Sequence, residues 1–360
     1  FDGDSGSMTD SMAPKTFRVL VVGSLPPPIG GTTVLLKGLV DALRERDDVE
    51  VEAINAIGVR SRGLGGVLGF VRLAWRVARA ARRADIVSVH GATKGLHILA
   101  PTVVFLARLA GKPVIVRKFG GTDFRGYSWW RRRPILWALR RARLYLVETK
   151  MLVQAANELG LDRVRWYPNS RPATKVASGE TADKRHSCRR FVFLGQLWRD
   201  KGIPEIIAAG ERLSEREYVV VDIYGTLGFD VDEAEFAGLK KVRYCGALAP
   251  ERVAERLCEY DVLLMPSYIK TEGYPGVIIE AYASGLPVIC TDWQTLPEIV
   301  DERSGILVAP RDAEALFEAM TRLADDDELF ARLRAGARER AGDFASEVWF
   351  CGILSRVVER

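Results

Sequence analysis

Two carboxylates stand eight positions apart in Glu272-Gly-Tyr-Pro-Gly-Val-Ile-Ile-Glu280, the first in a Gly/Pro-rich loop and the second on the helix that this loop should open. At about 1.5 Å of rise per residue, a helix beginning near Pro275 carries Glu280 a turn or more past its start, while Glu272 stays on the loop. The mouth between them, near Gly276 and Val277, offers amide N–H groups with no intrahelical partner and the positive end of the helix dipole. That is a cradle for a diphosphate. A carboxylate on the helix can then accept hydrogen bonds from a ribose, and one on the loop can bind a sugar hydroxyl. Tyr274, in the same stretch, joins the expected donor contacts. The bland alternative is a strand–loop–helix unit with incidental acids.

Short apolar runs separated by helical patterns place this motif in a larger frame. Strands are expected at Phe17–Val22, Val49–Asn55, Asp85–His90, Pro113–Lys118, Leu144–Glu148 and Val164–Tyr167. The second half repeats the theme at Phe191–Leu194, Val219–Tyr224, Val242–Cys245, Val262–Met265, Pro287–Cys290 and Gly305–Val308. Such alternation predicts an α/β chain of two Rossmann-like, doubly wound domains built on parallel sheets and facing a cleft. Helices are expected from about Thr32 to Arg44, from Ala313 to Ala341 and from Glu347 to Val358. Ligands of such sheets lie beyond the carboxyl ends of the strands. Gly30 and Gly31 fit that placement, ending the first strand's loop where a helix begins and where bare backbone can approach a phosphate or sugar. A plain turn after Pro26–Pro28 is their alternative.

The 360 residues suit two domains, read here as 13–170 (basic), a polar linker 171–187, a second domain 188–345 and a last helix within 346–360. With 48% hydrophobic and 28% charged residues, the composition is that of a chain with ample core. The five cysteines include no C-x-x-C pair, which argues for reduced thiols rather than a disulfide framework or a zinc site. No run reaches the roughly 18–20 apolar residues of a membrane span. Phe1–Ser7 lack an apolar core and read as a cloning scar before Met8 or Met12.

The net charge of +5 hides a split. Residues 1–171 hold 28 Lys/Arg against 14 Asp/Glu, and the remainder hold 24 against 33. Two segments of the basic half carry seven arginines each and no acid: Arg60–Arg83, with Phe70 and Trp75, and Arg125–Arg143, with Trp129, Trp130 and Trp137. Basic helices bearing Trp and Phe suit an anionic membrane surface. A nucleic-acid surface and solvated helix faces are the rivals. The tryptophans favour the membrane, and no nucleic acid is expected.

The E-x7-E spacing and the Gly-Leu-Pro-Val strand start after it resemble the signature of the family-4 glycosyltransferases, retaining enzymes of the two-domain GT-B fold. Pro26-Pro-Pro-Ile-Gly-Gly31 resembles their first glycine loop, and Phe193-Leu-Gly-Gln-Leu-Trp-Arg-Asp-Lys-Gly202 the segment opening their second domain. Val242-Arg-Tyr-Cys-Gly246 resembles the strand and loop bordering the base, and Pro297-Glu-Ile-Val300 with Ser304–Pro310 the stretch after the signature helix. The resemblance implies that Glu280 binds the ribose, Glu272 the donor sugar, and Lys201 the diphosphate as negative charge develops on it. It also implies Gly246 near the base and a last helix crossing back to the first domain. No metal or other cofactor is expected. Asp230-Val-Asp232 spells D-x-D but reads as a solvated helix start.

Two positions depart from the family pattern. Gln196 stands where an arginine usually precedes the lysine, leaving Arg199 as substitute. Gly120 falls where many relatives carry a histidine facing the reacting sugar. His90, at the end of a neighbouring strand, is the candidate replacement, and Lys118 and Asp123 are candidate polar contacts on the acceptor side. His97 and His186 look incidental.

The reading is a metal-independent, retaining glycosyltransferase, cytoplasmic and peripheral at the inner face of a membrane. It would take a nucleotide-diphosphate sugar and a lipid-linked or glycan acceptor in polysaccharide synthesis. The rivals are a nucleotide-sugar 2-epimerase of the same fold and a non-catalytic nucleotide-sugar-binding or scaffold protein.

Overall fold

The computed structural model describes residues 16–28, 30–57, 64–170, 187–213 and 218–345. The expected crossover helix Glu347–Val358, nearly all of the linker, Arg60, Arg62 and His186 therefore lie outside the described residues. The first half runs β1 (Phe17–Gly23), α1 (Gly31–Arg44), β2 (Val49–Asn55), α2 (Leu64–Ala81), β3 (Ile86–Ala92), α3 (Thr93–Leu109), β4 (Val114–Phe119), α4 (Trp129–Arg141), β5 (Leu144–Val147), α5 (Lys150–Glu158) and β6 (Val164–Trp166). The second begins with β7 (Arg190–Leu194), α6 (Ile203–Arg212), β8 (Val220–Tyr224) and β9 (Val242–Tyr244). It continues through α7 (Val253–Leu257), β10 (Val262–Met265), α8 (Gly276–Ala283), β11 (Val288–Thr291), α9 (Leu296–Ile299) and β12 (Gly305–Val308) to α10 (Ala313–Asp325) and α11 (Asp327–Asp343).

The strands form two six-stranded sheets, ordered β2-β1-β3-β4-β5-β6 and β12-β11-β10-β7-β8-β9. All neighbours in the second sheet are parallel, and β1 runs parallel to both β2 and β3. The strand centres are apolar on both faces: Leu20, Val22, Val87, Val89 and Val116 are fully buried in the first sheet, as are Phe191, Val221, Leu263 and Ile289 in the second. That two-sided burial is why the sequence shows continuous apolar runs rather than alternation.

In each sheet the strand order reverses beside the first strand of its half. The chain leaves β1 toward β2 on one side and returns to β3 on the other; it leaves β7 toward β8 and returns to β10. These switch points open a crevice at the strand carboxyl ends.

Contacts divide the chain into two compact units. One comprises the described residues up to Arg117 with Trp129–Tyr145, the other Lys118–Ser128 with the described residues from Leu146 onward.

The single long helix expected over Ala313–Ala341 is two helices. Asp326 leaves helical geometry (φ −117°, ψ 90°) and its side chain accepts from the Leu329 amide at 2.9 Å, capping α11. Three consecutive aspartates, Asp325–Asp327, oppose the negative end of α10 and suit the positive start of α11, so the break falls there.

Candidate active site

Lys201 and Glu272 come together at the switch point of the second sheet. Lys201 closes a 3-10 turn (Arg199–Lys201) after β7, and Glu272 lies on the loop after the neighbouring strand β10. The Lys201 Nζ to Glu272 Oε2 distance is 2.5 Å, and Ser267 donates its hydroxyl to the same oxygen at 2.7 Å. Gly202 fixes the turn: its φ is +81°, and a Cβ there would stand 2.4 Å from the Pro266 carbonyl oxygen. Only glycine fits that left-handed, crowded position.

The rest of the loop is gripped by neutral and charged partners. Thr295 Oγ1 donates to the carbonyls of Gly273 (2.9 Å) and Glu272 (3.2 Å), and Asn169 Nδ2 donates to that of Tyr274 at 2.6 Å. The Tyr274 hydroxyl donates to Glu298 at 2.7 Å. Glu298 also accepts the amides of Lys150 (2.6 Å) and Met151 (2.9 Å), the first turn of α5, while Thr149 Oγ1 takes the Leu152 amide at 3.1 Å. Helix α8 begins at Gly276 with no side chain capping its first turn, and Glu280 is its fifth residue, half-buried. A loop carboxylate, a lysine and an uncapped helix start thus belong to one loop and one switch point, an arrangement suited to an anionic, hydroxyl-rich ligand.

Other expected site residues are placed differently. Arg199 does not turn toward Lys201's partner; its guanidinium pairs with Glu235 at 3.0 Å and is half exposed. Tyr274 is 2% exposed and offers a ligand no ring face, because its ring is enclosed by Trp166 and Phe344 and its hydroxyl is spent on Glu298. Lys118, expected to line the acceptor side, is wholly buried and donates to the carbonyls of Gly120 (2.7 Å) and Phe119 (3.3 Å). Asp123 forms a 2.7 Å pair with Arg125 and accepts the Arg125 amide. Gly120 has φ +83°, and its amide donates to Glu148 at 2.8 Å. Gly246, also in the left-handed region, accepts the Gly225 amide at 2.9 Å where β9 ends. Asp232 caps a 3-10 turn over Glu233–Phe236 and accepts the Ala234 amide, so this carboxylate is used by its own backbone.

In the other unit, His90 is buried on β3 with Nε2 2.7 Å from Ser88 Oγ. Burial, helped by the charge of Arg117, holds its pKa well below the usual histidine value, so the ring stays neutral at physiological pH. Gly30 and Gly31 stand at the start of α1, where a Cβ on Gly31 would meet nothing within 4 Å. The residues that sequence reasoning missed are Ser267, Thr295, Asn169, Glu148 and Glu298. Only Glu298 had a signal, as the glutamate of Pro297-Glu-Ile-Val300.

The basic segments prove to be a layer of helices in the first unit, with α3 packed against both α2 and α4. On α2, Leu73 and Val77 face inward, whereas Val67, Leu68, Val71 and Trp75 (64% exposed) share the outer face with Arg72, Arg76 and Arg79. Ile98, Phe105 and Leu109 on α3 and Trp129 and Trp130 on α4 are exposed too. Among the described residues no helix is long and apolar enough to cross a membrane.

Residues 188–326 match the family model described as glycosyl transferases group 1. TuaC of Bacillus subtilis (strain 168), named for teichuronic acid biosynthesis as a glycosyltransferase, is 34% identical over 134 residues, 37% of this chain and 32% of the relative. The amylovoran biosynthesis glycosyltransferase AmsK of Erwinia amylovora is 30% identical over 156 residues, 40% of this chain and 38% of the relative. The chain thus spans about a third of the length of these curated relatives. Among solved structures, Anabaena Alr3699/HepE in complex with UDP superposes with a TM-score of 0.76 at 17% identity, covering 96% of this chain and 100% of that one. At that identity the likeness shows the fold, which is GT-B.

Proposed function

We propose that this chain is a retaining glycosyltransferase that moves a sugar from a nucleotide diphosphate to a lipid-linked or membrane-proximal glycan in polysaccharide synthesis. The observation carrying this reading is the Lys201–Glu272–Ser267 cluster at the β7/β10 switch point, on the loop that opens the uncapped start of α8. The match of residues 188–326 to the group 1 family supports it. The diphosphate docks at the α8 amides with Lys201 beside it, Glu280 accepts from the ribose, and Glu272 turns from Lys201 to a donor-sugar hydroxyl.

The step needs no protein nucleophile. The anomeric carbon–oxygen bond breaks with its electron pair going to the diphosphate, and the acceptor oxygen bonds to the same face of that carbon. The acceptor's proton passes to the departing phosphate oxygen. Catalysis rests on positioning and on stabilising the leaving charge, which Lys201 supplies in place of a metal.

The membrane part of the proposal draws on the outer face of α2, α3 and α4. Exposed tryptophans and arginines there suit an anionic leaflet and support the reading of a cytoplasmic enzyme peripheral at the inner face of the membrane. UDP, held by the Anabaena protein, is the first nucleotide to test. A thermal-shift screen of uridine, guanosine, adenosine and thymidine diphosphates should raise the melting point for one of them. That donor should then be turned over only with an added glycan acceptor, with retention at the anomeric carbon by NMR and no loss in EDTA. Epimerisation of the donor without acceptor, or tight nucleotide binding with no sugar released from any donor, would defeat the proposal.

A further inference from the structure

We infer that Lys118 and Glu148 are positioning residues that clamp the Gly120 peptide from both sides and so hold the loop bearing Glu272 in register. Lys118 Nζ donates to the Gly120 carbonyl at 2.7 Å, and Glu148 Oε2 accepts the amide of the same residue at 2.8 Å. A left-handed glycine is thus fixed at both its polar groups by buried charges of opposite sign.

The clamp reaches the site through backbone. Gly121 donates to the Thr271 carbonyl at 3.3 Å, and a Cβ on Gly121 would stand 2.0 Å from the Glu272 carbonyl oxygen. A Cβ on Gly273 would stand 2.7 Å from the same Glu148 oxygen that holds Gly120. Neither charged side chain is exposed enough to meet a substrate, Lys118 at 0% and Glu148 at 2%. Their action on the reaction is through the loop, and it rests on the glycosyl-transfer reading.

The charged groups facing this clamp are Glu148 just after β5, Asp123 in the loop after β4, and Glu272 on the loop packed over Gly121, paired with Lys201 from the turn after β7. Burial lowers the Lys118 pKa from 10.5 to about 8, against the opposing charges of Glu148 and Asp123. Below that value the ammonium makes a charge-assisted bond to Gly120. Above it the amine makes an ordinary bond, roughly half as strong. Glu148→Gln removes a charge that raises the Lys118 pKa, so the transition should move to lower pH.

The test uses the full chain labelled with 15N-glycine, with the amide signals of Gly120, Gly121 and Gly273 followed from pH 6.5 to 9.5. The expected result is a shared titration near pH 8, moved acidward in Glu148→Gln and absent in Lys118→Met. With a donor in hand, kcat should fall by up to about tenfold between pH 7 and pH 9 at unchanged KM, and Glu148→Gln should move that limb with the amides. Glu148→Gln is nearly isosteric, so it decides the matter if Lys118→Met does not fold. Amide signals flat across this range would overturn the clamp, and so would an amide titration accompanied by a flat kcat profile. Absence of turnover at every pH would instead count against the glycosyl-transfer reading, and the amide signals alone would then decide the clamp.

Discussion

Gly121→Ala is the sharpest test of how tightly the Glu272 loop is held. The new methyl carbon would lie 2.0 Å from the Glu272 carbonyl oxygen and 2.9 Å from its carbonyl carbon, against 3.4 Å or more for an ordinary contact. The obstacle is backbone, which cannot swing aside as a side-chain end can, so one of the two loops must move by about 1 Å or more. Overpacking of this kind costs roughly 1–3 kcal/mol. For a domain of this size that is a fall of about 4–8 °C in melting temperature at the middle of the range. A displacement of about 1 Å in a group that orients substrate costs on the order of a hundredfold in rate. Differential scanning calorimetry reads the first effect and initial rates with the donor from the nucleotide screen read the second. Gly38→Ala on α1 is the control: it would meet nothing within 4 Å and should gain about 0.5–1 kcal/mol as a helix-interior glycine. If Gly121→Ala matched the unchanged protein in melting temperature and kcat, the loop would be yielding freely and the reasoning from close backbone approach would fail.

Lys201→Met should lower kcat by roughly a hundred- to a thousandfold with the donor still bound, the usual cost of losing one preorganised stabiliser of leaving-group charge; a loss confined to KM would refute its role. Glu280→Ala should weaken nucleotide diphosphate binding by about ten- to a hundredfold in calorimetry, as expected for a charge-assisted bond to a ribose, and unchanged affinity would remove that assignment. Flotation with vesicles containing anionic lipid should fall with added salt and in Trp75→Ala and Arg72→Ala/Arg76→Ala/Arg79→Ala, by about 1 kcal/mol per arginine. Equal flotation on neutral vesicles would end the membrane argument. Glu298→Gln should cost about 1–2 kcal/mol in denaturant unfolding, since it leaves the α5 start and the Tyr274 hydroxyl sharing a neutral, half-suitable partner.

The twelve strands could be read from the sequence because buried parallel strands declare themselves locally, as unbroken runs such as Val262–Met265 bounded by polar turns. Lys201 and Glu272 are both expected at the donor site from the family resemblance, but their direct pairing is not, because it depends on β7 and β10 being neighbours, which the sequence does not state. The fate of individual polar side chains could not be read either. Lys118, near the end of β4, and Asp123, in the loop that follows, are five residues apart, yet one is sealed in the core and the other is held by Arg125. Lys118 is enclosed with Glu148, which lies 30 positions on, whereas Asp123 is held by a neighbour only two residues away. Tyr274 was misread for the same reason as Lys118: nothing within its own heptapeptide says that Glu298, 24 positions on, will take its hydroxyl. Arg199, proposed as the stand-in for the arginine absent at Gln196, is paired here with Glu235, a partner 36 positions on that its own sequence context does not announce.

Of the two helices that meet the Tyr274 region, one arrives with its door shut. The opening amides of α5 are consumed by a glutamate and a threonine, whereas α8 presents its own opening turn bare. On the proposed reading, a diphosphate that meets these two helices finds the start of α8 open and that of α5 already taken. The resting place proposed for the phosphates would then be set by the scaffold before any ligand contact is made.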